Sequence, residues 1–330
     1  MPNPGGAYGS GLTPRSSHGQ NSTQPDAVVE AGAGRTRCGY VALIGAPNSG
    51  KSTLLNRLVG RKLAIVTPKA QTTRTRLLGI AIEGATQIIY VDTPGIFAPR
   101  RRLDRAMVAA AWAGAEDADE TLLLVDASRG TDENARRILD RLAERGRRSI
   151  LALNKIDRVH RENLLVLAGE LSREGRFDPI FMISALTGDG VEDVKQHLAA
   201  SLPPGPWLFP EDQLSDAPER LIAAEVTREQ VFLQLHEELP YASTVETENW
   251  QARPDGSVRI EQVIYVQRPG QRAIVLGEGG HRIKAIGARA RAELERTLDR
   301  RVHLFLFVKV REHWAEDRER FAALGLDYNA

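Results

Sequence analysis

Two kinds of apolar pattern divide the chain. Between residues 37 and 202, short uninterrupted apolar runs alternate with stretches whose apolar positions recur every three or four residues. Tyr40-Val41-Ala42-Leu43-Ile44, Ile88-Ile89-Tyr90-Val91, Leu122-Leu123-Leu124-Val125, Ile150-Leu151-Ala152-Leu153 and Ile180-Phe181-Met182-Ile183 are such runs, as strands covered on both faces require. After the first run, Leu54, Leu55, Leu58 and Val59 share one helical face, and Gly60 ends the helix. Residues 97–120 hold Arg100-Arg101-Arg102, read as a solvated loop, and then an alanine-rich helix over 106–115. The alternation predicts an α/β domain: a mostly parallel sheet with helices on both faces.

The pattern changes near residue 203. Leu202-Pro203-Pro204-Gly205-Pro206-Trp207 closes the first domain (37–202) and opens a linker over 203–215. Asp216-x-x-Glu219 reads as a capping box with Pro218 in the first turn. Ile222, Val226 and Leu233 keep one helical face apolar through about Leu239. Residues 243–249 and 257–267 read as a hairpin about Pro254-Asp255-Gly256, and Arg268-Pro269-Gly270-Gln271 turns the chain again. A basic helix from His281 to Arg296 and a strand over 302–310 complete an α+β domain, 216–330. Residues 1–36 are rich in Gly, Pro, Ser, Asn and Gln; too little apolar surface offsets their ordering entropy, so a disordered tail is expected.

Composition adds three constraints. With 330 residues, 42% hydrophobic and 26% charged, the chain suits about two globular domains. A net charge of +1 makes any nucleic-acid surface local. One cysteine, Cys38, excludes an internal disulfide framework, and there is neither a membrane-length apolar run nor a signal-peptide pattern. A soluble cytoplasmic protein is the expectation.

The chemistry sits where the first domain's strands end, the edge at which open parallel sheets bind ligands. Gly45-Ala46-Pro47-Asn48-Ser49-Gly50-Lys51-Ser52 fits the G-x-x-x-x-G-K-[ST] phosphate loop between a strand and a helix that opens through Thr53. Its backbone N–H groups and helix dipole suit phosphate, Lys51 would reach the β- and γ-phosphates, and the Ser52 hydroxyl would take a place on Mg²⁺. Asp92-Thr93-Pro94-Gly95 follows the next run: Asp92 is placed to hold Mg²⁺, and Gly95 lets its N–H approach a γ-phosphate. Asn154-Lys155-Ile156-Asp157 looks like a guanine-reading element. The Asp157 carboxylate can accept from guanine N1–H and N2–H₂, and the Lys155 stem would lie over the base. Ser184-Ala185-Leu186 would bring the Ala185 N–H to guanine O6. Four such elements in order read as a GTP-binding domain. Between them, Thr67-Pro68-Lys69-Ala70-Gln71-Thr72-Thr73-Arg74 lies where nucleotide-sensing loops sit, and Thr72 or Thr73 would supply a Mg²⁺ ligand.

In the second domain, Gly277-Glu278-Gly279-Gly280 runs into His281-Arg282-Ile283-Lys284, a GXXG loop opening a basic helix. KH domains clamp about four nucleotides of single-stranded RNA this way. Between Arg268 and Arg311 eleven Lys/Arg face four Asp/Glu, a local basic excess that favours phosphate. The RNA-binding candidates are Gly277, Glu278, Gly279, Gly280, His281, Arg282 and Lys284.

The phosphate loop, Lys69-Ala70-Gln71-Thr72-Thr73-Arg74 and Tyr90-Val91-Asp92-Thr93-Pro94-Gly95 together resemble the Era family of bacterial GTPases. A GTPase domain followed by a type II KH domain is that family's arrangement, and the resemblance covers residues 37–328. It implies Thr73 as the Mg²⁺ ligand beside Ser52 and Asp92. Ile96 stands where Ras-like GTPases carry a water-orienting glutamine. Relatives with this change can use K⁺ held by the loop asparagine, here Asn48, which makes Asn48, Lys51, Thr73 and Gly95 the catalytic set. The resemblance further implies a monomer that binds GTP and GDP, hydrolyses GTP, and binds the 3′ end of 16S rRNA during 30S subunit maturation. GTP would favour RNA capture. Peripheral inner-membrane association belongs to the family, but no amphipathic or lipidation signal here supports it. Ser49 and the acidic Glu278 depart from the family's usual residues. The alternative is a regulatory RNA-binding protein whose slow GTPase is uncoupled from ribosome assembly. A role in RNA base modification has no cofactor motif or nucleophile to support it.

Overall fold

A computed structural model describes residues 36–69, 72–146, 148–173, 177–312 and 314–330. Apart from Thr36, the stretch expected to be a disordered tail lies outside the described residues.

The first part runs β1 (Arg37–Gly45), α1 (Lys51–Val59), β2 (Leu77–Glu83), β3 (Thr86–Asp92), α2 (Arg102–Asp117), β4 (Glu120–Asp126), α3 (Glu133–Arg145), β5 (Ser149–Asn154), α4 (Arg161–Arg173), β6 (Phe177–Ile183) and α5 (Val191–Ser201). The sheet order is β2-β3-β1-β4-β5-β6. All neighbours are parallel except β2 and β3. Period-two alternation splits each central strand between two cores. Val41, Leu43, Leu122, Leu124 and Ile150 pack with Leu54, Leu55 and Leu58 of α1 and Val194 and Leu198 of α5. Ala42, Ile44, Leu123, Val125 and Leu151 pack with α2, α3 and α4 through Trp112, Ile138, Leu139, Leu164 and Leu171. The expected mostly parallel sheet, with helices on both faces, is the one observed.

One strand escaped the apolar-run reading. β2 pairs with β3 antiparallel across the Gly84-Ala85 turn, and Gly79 interrupts its apolar run. The stretch 203–215 lies against this side of the sheet. Ile80 N–H donates to the Leu214 carbonyl (2.8 Å) and Gln87 Oε1 accepts from the Leu208 and Phe209 N–H groups (2.9 and 3.0 Å). Covering an edge strand removes a template for unwanted pairing.

The second part runs α6 (Glu219–Gln234), β7 (Ser243–Ala252), β8 (Val258–Val266), α7 (Pro269–Leu276), α8 (His281–Leu298), β9 (Val302–Val310) and α9 (Arg318–Ala323). β7 and β8 form the expected hairpin, and β9 adds parallel to β8. Ala224, Val231, Ile264, Val275, Ile286 and Val308 form much of its core. Phe321 and Leu326 leave this part and pack on Ala106 and Met107 of α2.

Three local expectations are corrected. The Asp216 capping box does not form: Pro218 is the N-cap, and Asp216 Oδ1 instead accepts from the Leu78 N–H at 3.3 Å. α6 stops at Gln234, short of Leu239, with Lys69 Nζ donating to the carbonyls of Phe232 and Leu235 at its end. Residues 268–271 are the first turn of α7, because Pro269 suits N1 and Gln271 Oε1 accepts from the N–H groups of Gln267 and Arg268 (2.9 and 3.0 Å). Among the described residues, no helix is long and apolar enough to cross a membrane.

Candidate functional site

A cavity of about 480 Å³ opens along the carboxyl edge of the first sheet, within the range of small-molecule sites. Pro47, Asn48, Gly50, Lys51, Ser52 and Thr53 line one side; Thr72, Thr73 and Gly95 face them; Asn154, Lys155, Asp157, Ala185 and Leu186 close the far end. Gly45, Ala46, Ser49, Asp92, Thr93, Pro94 and Ser184 are not among the lining residues; all but the half-buried Ala46 are buried. The cavity thus brings together candidates from the phosphate loop, the Thr67–Arg74 segment, Asp92–Gly95, Asn154–Asp157 and Ser184–Leu186.

At the phosphate end, Ser52 Oγ lies 2.9 Å from both Thr73 Oγ1 and Asp92 Oδ2, and Thr73 Oγ1 donates to that same oxygen at 3.1 Å. Two hydroxyls and a carboxylate at one point are an oxygen donor set of the kind a hard divalent cation takes. Asp92 is fully buried, and its Oδ1 has no hydrogen-bond partner among the described residues. Burial pushes the Asp92 carboxyl above its usual range, against the pull of Lys51, Ser52 and Thr73. A bound cation would relieve both costs, so these residues fit Mg²⁺. Thr73 meets the pair, while the Thr72 hydroxyl donates to the Lys69 carbonyl at 3.0 Å. Thr93 is not a cavity residue: its hydroxyl donates to the Leu43 carbonyl at 2.8 Å and ties β3 to β1.

Lys51 points back along the loop, donating to the carbonyls of Gly45 and Ala46 (3.1 Å each). Desolvation lowers its pKa to about 8, and the Asp92 charge opposes the shift. Nucleotide phosphates would raise it again, so binding takes up a proton once free Lys51 begins to lose its own. Affinity for GDP is thus expected to fall by about fourfold between pH 7 and 8.5, measured by titration calorimetry in two buffers. A flat profile would contradict the assignment of Lys51. Ile96, 5% exposed, packs among Ala42, Ile44 and Trp112, so its side chain faces the core rather than an attacking water.

At the base end, Asn154 Nδ2 donates to the Ser49 carbonyl (2.7 Å), joining the two loops. Lys155 Nζ donates to the Asn48 carbonyl and to Asp126 Oδ2, both at 2.6 Å. Asp157 Oδ1 accepts from the Ser184 hydroxyl at 2.6 Å. The Ala185 N–H, expected to reach guanine O6, lies at the cavity and donates to Asn154 Oδ1 at 2.9 Å.

In the second part, Gly277 has φ 69° and ψ 170°, and a Cβ there would lie 2.8 Å from Arg282 Cβ; only glycine fits this corner. Glu278, Gly279, His281, Arg282 and Lys284 are exposed around it. Arg282 reaches back to the Ile274 carbonyl at 2.8 Å, clasping α7 to α8 across the loop.

Comparison with known proteins decides the family. Residues 40–155 match the 50S ribosome-binding GTPase family and residues 238–315 the KH domain family. A GTPase Era of Rhizobium meliloti is 60% identical over 306 residues, 93% of this chain and 97% of the relative. One from Brucella suis is 58% identical over 308 residues, 93% of this chain and 99% of the relative. The chain belongs to the Era family of GTPases. It is a GTP hydrolase with a KH domain. Two solved Era structures superpose with TM-score 0.83 at 38% identity, covering 88% of this chain and 99% of theirs. One is an Aquifex aeolicus Era variant bound to GDP and AlF4⁻; the other is an Era in complex with MgGDPNP and nucleotides 1506–1542 of 16S ribosomal RNA.

Two residues of this Era-family cleft that were not among the candidate site residues carry contacts there. Asp126, at the end of β4, holds Lys155 in place. Burial pushes its carboxyl up, but hydrogen bonds from Lys155 and Ser128 outweigh that and leave it below the usual range. Arg57 on α1 donates to the Leu186 carbonyl at 2.5 Å and so pins the loop over the base pocket. Asp126 was legible as the polar end of an apolar strand; Arg57 had no such signal.

Proposed function

We propose that this chain captures the 3′ end of 16S rRNA in its GTP state, during maturation of the 30S subunit, and releases it after hydrolysis. The observation that carries the reading is the meeting of Ser52, Thr73 and Asp92 beside a guanine-type pocket. It occurs in a chain whose solved relative holds MgGDPNP and nucleotides 1506–1542 of 16S ribosomal RNA.

In this reading Ser52, Thr73 and Asp92 hold Mg²⁺, which neutralises charge on the β- and γ-phosphate oxygens when bound. Lys51 and the loop amides cradle those phosphates, Gly95 offers its N–H to the γ-phosphate, and Asn154, Lys155, Asp157 and Ala185 select guanine. Ile96 cannot orient water, and K⁺ beside Asn48 would supply the missing positive charge. The Asn48 amide also donates to the Pro68 carbonyl at 3.0 Å, which draws the sensing loop to the phosphate loop. The working units are residues 37–202 for the nucleotide, 203–215 as linker and 216–330 for RNA. The protein would act as a cytoplasmic monomer, with inner-membrane association at most peripheral.

RNA would follow Gly277–Gly280 and the exposed basic start of α8. Glu278 is exposed at the tip of that loop, where its charge opposes the phosphates. Glu278→Lys is therefore expected to tighten binding of a 3′-end RNA oligonucleotide by about five- to tenfold, and to steepen the log–log salt slope by about one. Filter binding across a salt series reads both. An unchanged affinity and slope would put the RNA elsewhere.

A further inference from the structure

The segment carrying Thr73 is held from outside its own domain. Lys62 Nζ donates to Glu229 and Glu293 (2.6 and 3.0 Å), and the Val66 N–H donates to Glu229 Oε1 at 2.9 Å. Beyond Lys69 at the end of α6, the Arg74 guanidinium donates to the carbonyls of Ser243 and Tyr241 (2.8 and 3.1 Å). One of these holds lies directly against the metal ligand. Arg228 of α6, 1% exposed, donates to the Thr72 carbonyl through the nitrogen that also reaches Glu225. The Thr72 carbonyl and the Thr73 N–H share one rigid peptide plane. Fixing that oxygen places the Thr73 N–H and Cα, and so the point from which the Thr73 hydroxyl reaches Ser52 and Asp92.

We propose that Arg228 is a positioning residue for GTP hydrolysis. It clamps the Thr72–Thr73 peptide so that Thr73 meets Ser52 and Asp92, and α6 thereby completes the metal site in cis. This rests on Thr73 being the Mg²⁺ ligand. Packing alone does not account for the arrangement. Arg228 is buried with its second terminal nitrogen lacking a partner among the described residues, and the buried Arg74 lies close enough to repel it. Two buried cations make a costly way to fill an interface, and a charge-assisted bond to one chosen carbonyl gives them a purpose. α6 also packs against α8, the helix that starts at the GXXG loop. The RNA loop and the Thr73 peptide are thus joined by two packed helices.

The test is single-turnover GTP hydrolysis by the full chain across a Mg²⁺ series, with GDP affinity measured alongside. Arg228→Ala is expected to raise the half-saturating Mg²⁺ and lower the maximal rate, each by about tenfold or more. GDP affinity should stay within about twofold, because GDP lacks the γ-phosphate that orders this segment. Arg228→Lys, which keeps one charged donor, should recover part of the Mg²⁺ response. If Arg228→Ala does not fold, Glu225→Gln decides, since it loosens the guanidinium without emptying the site and should shift Mg²⁺ dependence the same way. Thr73→Ala runs in parallel. If it leaves the Mg²⁺ requirement unchanged, the reading of Thr73 fails and this one with it. If it raises the requirement while the Arg228 and Glu225 variants match the parent, only the positioning role is overturned. Equal loss of GDP and GTP-analogue affinity in Arg228→Ala would also overturn it, as a structural effect.

Discussion

Asp157→Asn should weaken binding of GTP and GDP by about 100- to 1,000-fold and shift base choice towards xanthine nucleotides. The carboxylate lines the base end of the cavity, and Ser184 donates to its Oδ1. An asparagine keeps that acceptor, so the loop should survive. What it loses is the acceptor pair for guanine N1–H and N2–H₂, replaced in part by an amide donor facing N2–H₂. Xanthine has a carbonyl in place of that amino group and accepts the new donor. Competition between guanine and xanthine nucleotides for a fluorescent analogue measures the exchange. An unchanged preference for GTP would remove Asp157 from base recognition.

Gly95→Ala should reduce single-turnover GTP hydrolysis by about 100-fold or more, while GDP affinity falls by less than about tenfold. A Cβ at Gly95 would lie 2.9 Å from both the nitrogen and the Cα of Pro47. Neither atom belongs to a flexible side chain, so backbone must move. The Ile96 N–H is tied to the Gly45 carbonyl at 3.0 Å, which leaves the two loops no easy way to part. The loss therefore falls on the γ-phosphate contact, made in the GTP state and not with GDP. Equal losses for both nucleotides would point to a collapsed phosphate loop instead.

Legibility in the sequence followed what each segment packs against. The central strands read clearly because both faces are buried, and their polar ends mark the cleft in the sequence itself. β2 was not singled out, because Gly79 breaks an already short apolar run and its partner lies across a two-residue turn. Asp216 and the end of α6 were misread for a different reason: a local capping rule lost to a partner from elsewhere in the fold. Residues 268–271 show a third case, since Pro and Gly suggest a turn until Gln271 is seen bonding the preceding amides. The metal ligands were legible as motifs. Arg228 was not, because an arginine within an amphipathic helix reads as exposed, whereas here it is buried beneath the sensing loop.

Nucleotide can direct RNA capture only if the two nucleotide states differ in RNA affinity. The most direct measurement is the affinity of the full chain for a short single-stranded RNA copying the 3′ end of 16S rRNA. It would be taken with a non-hydrolysable GTP analogue and with GDP, at one salt concentration, beside a scrambled RNA. Binding at least about tenfold tighter in the GTP-analogue state, and selective for the native sequence, is the expected result. Equal affinity in the two states would contradict nucleotide-controlled capture, leaving a GTPase and an RNA-binding domain that share a chain without coupling.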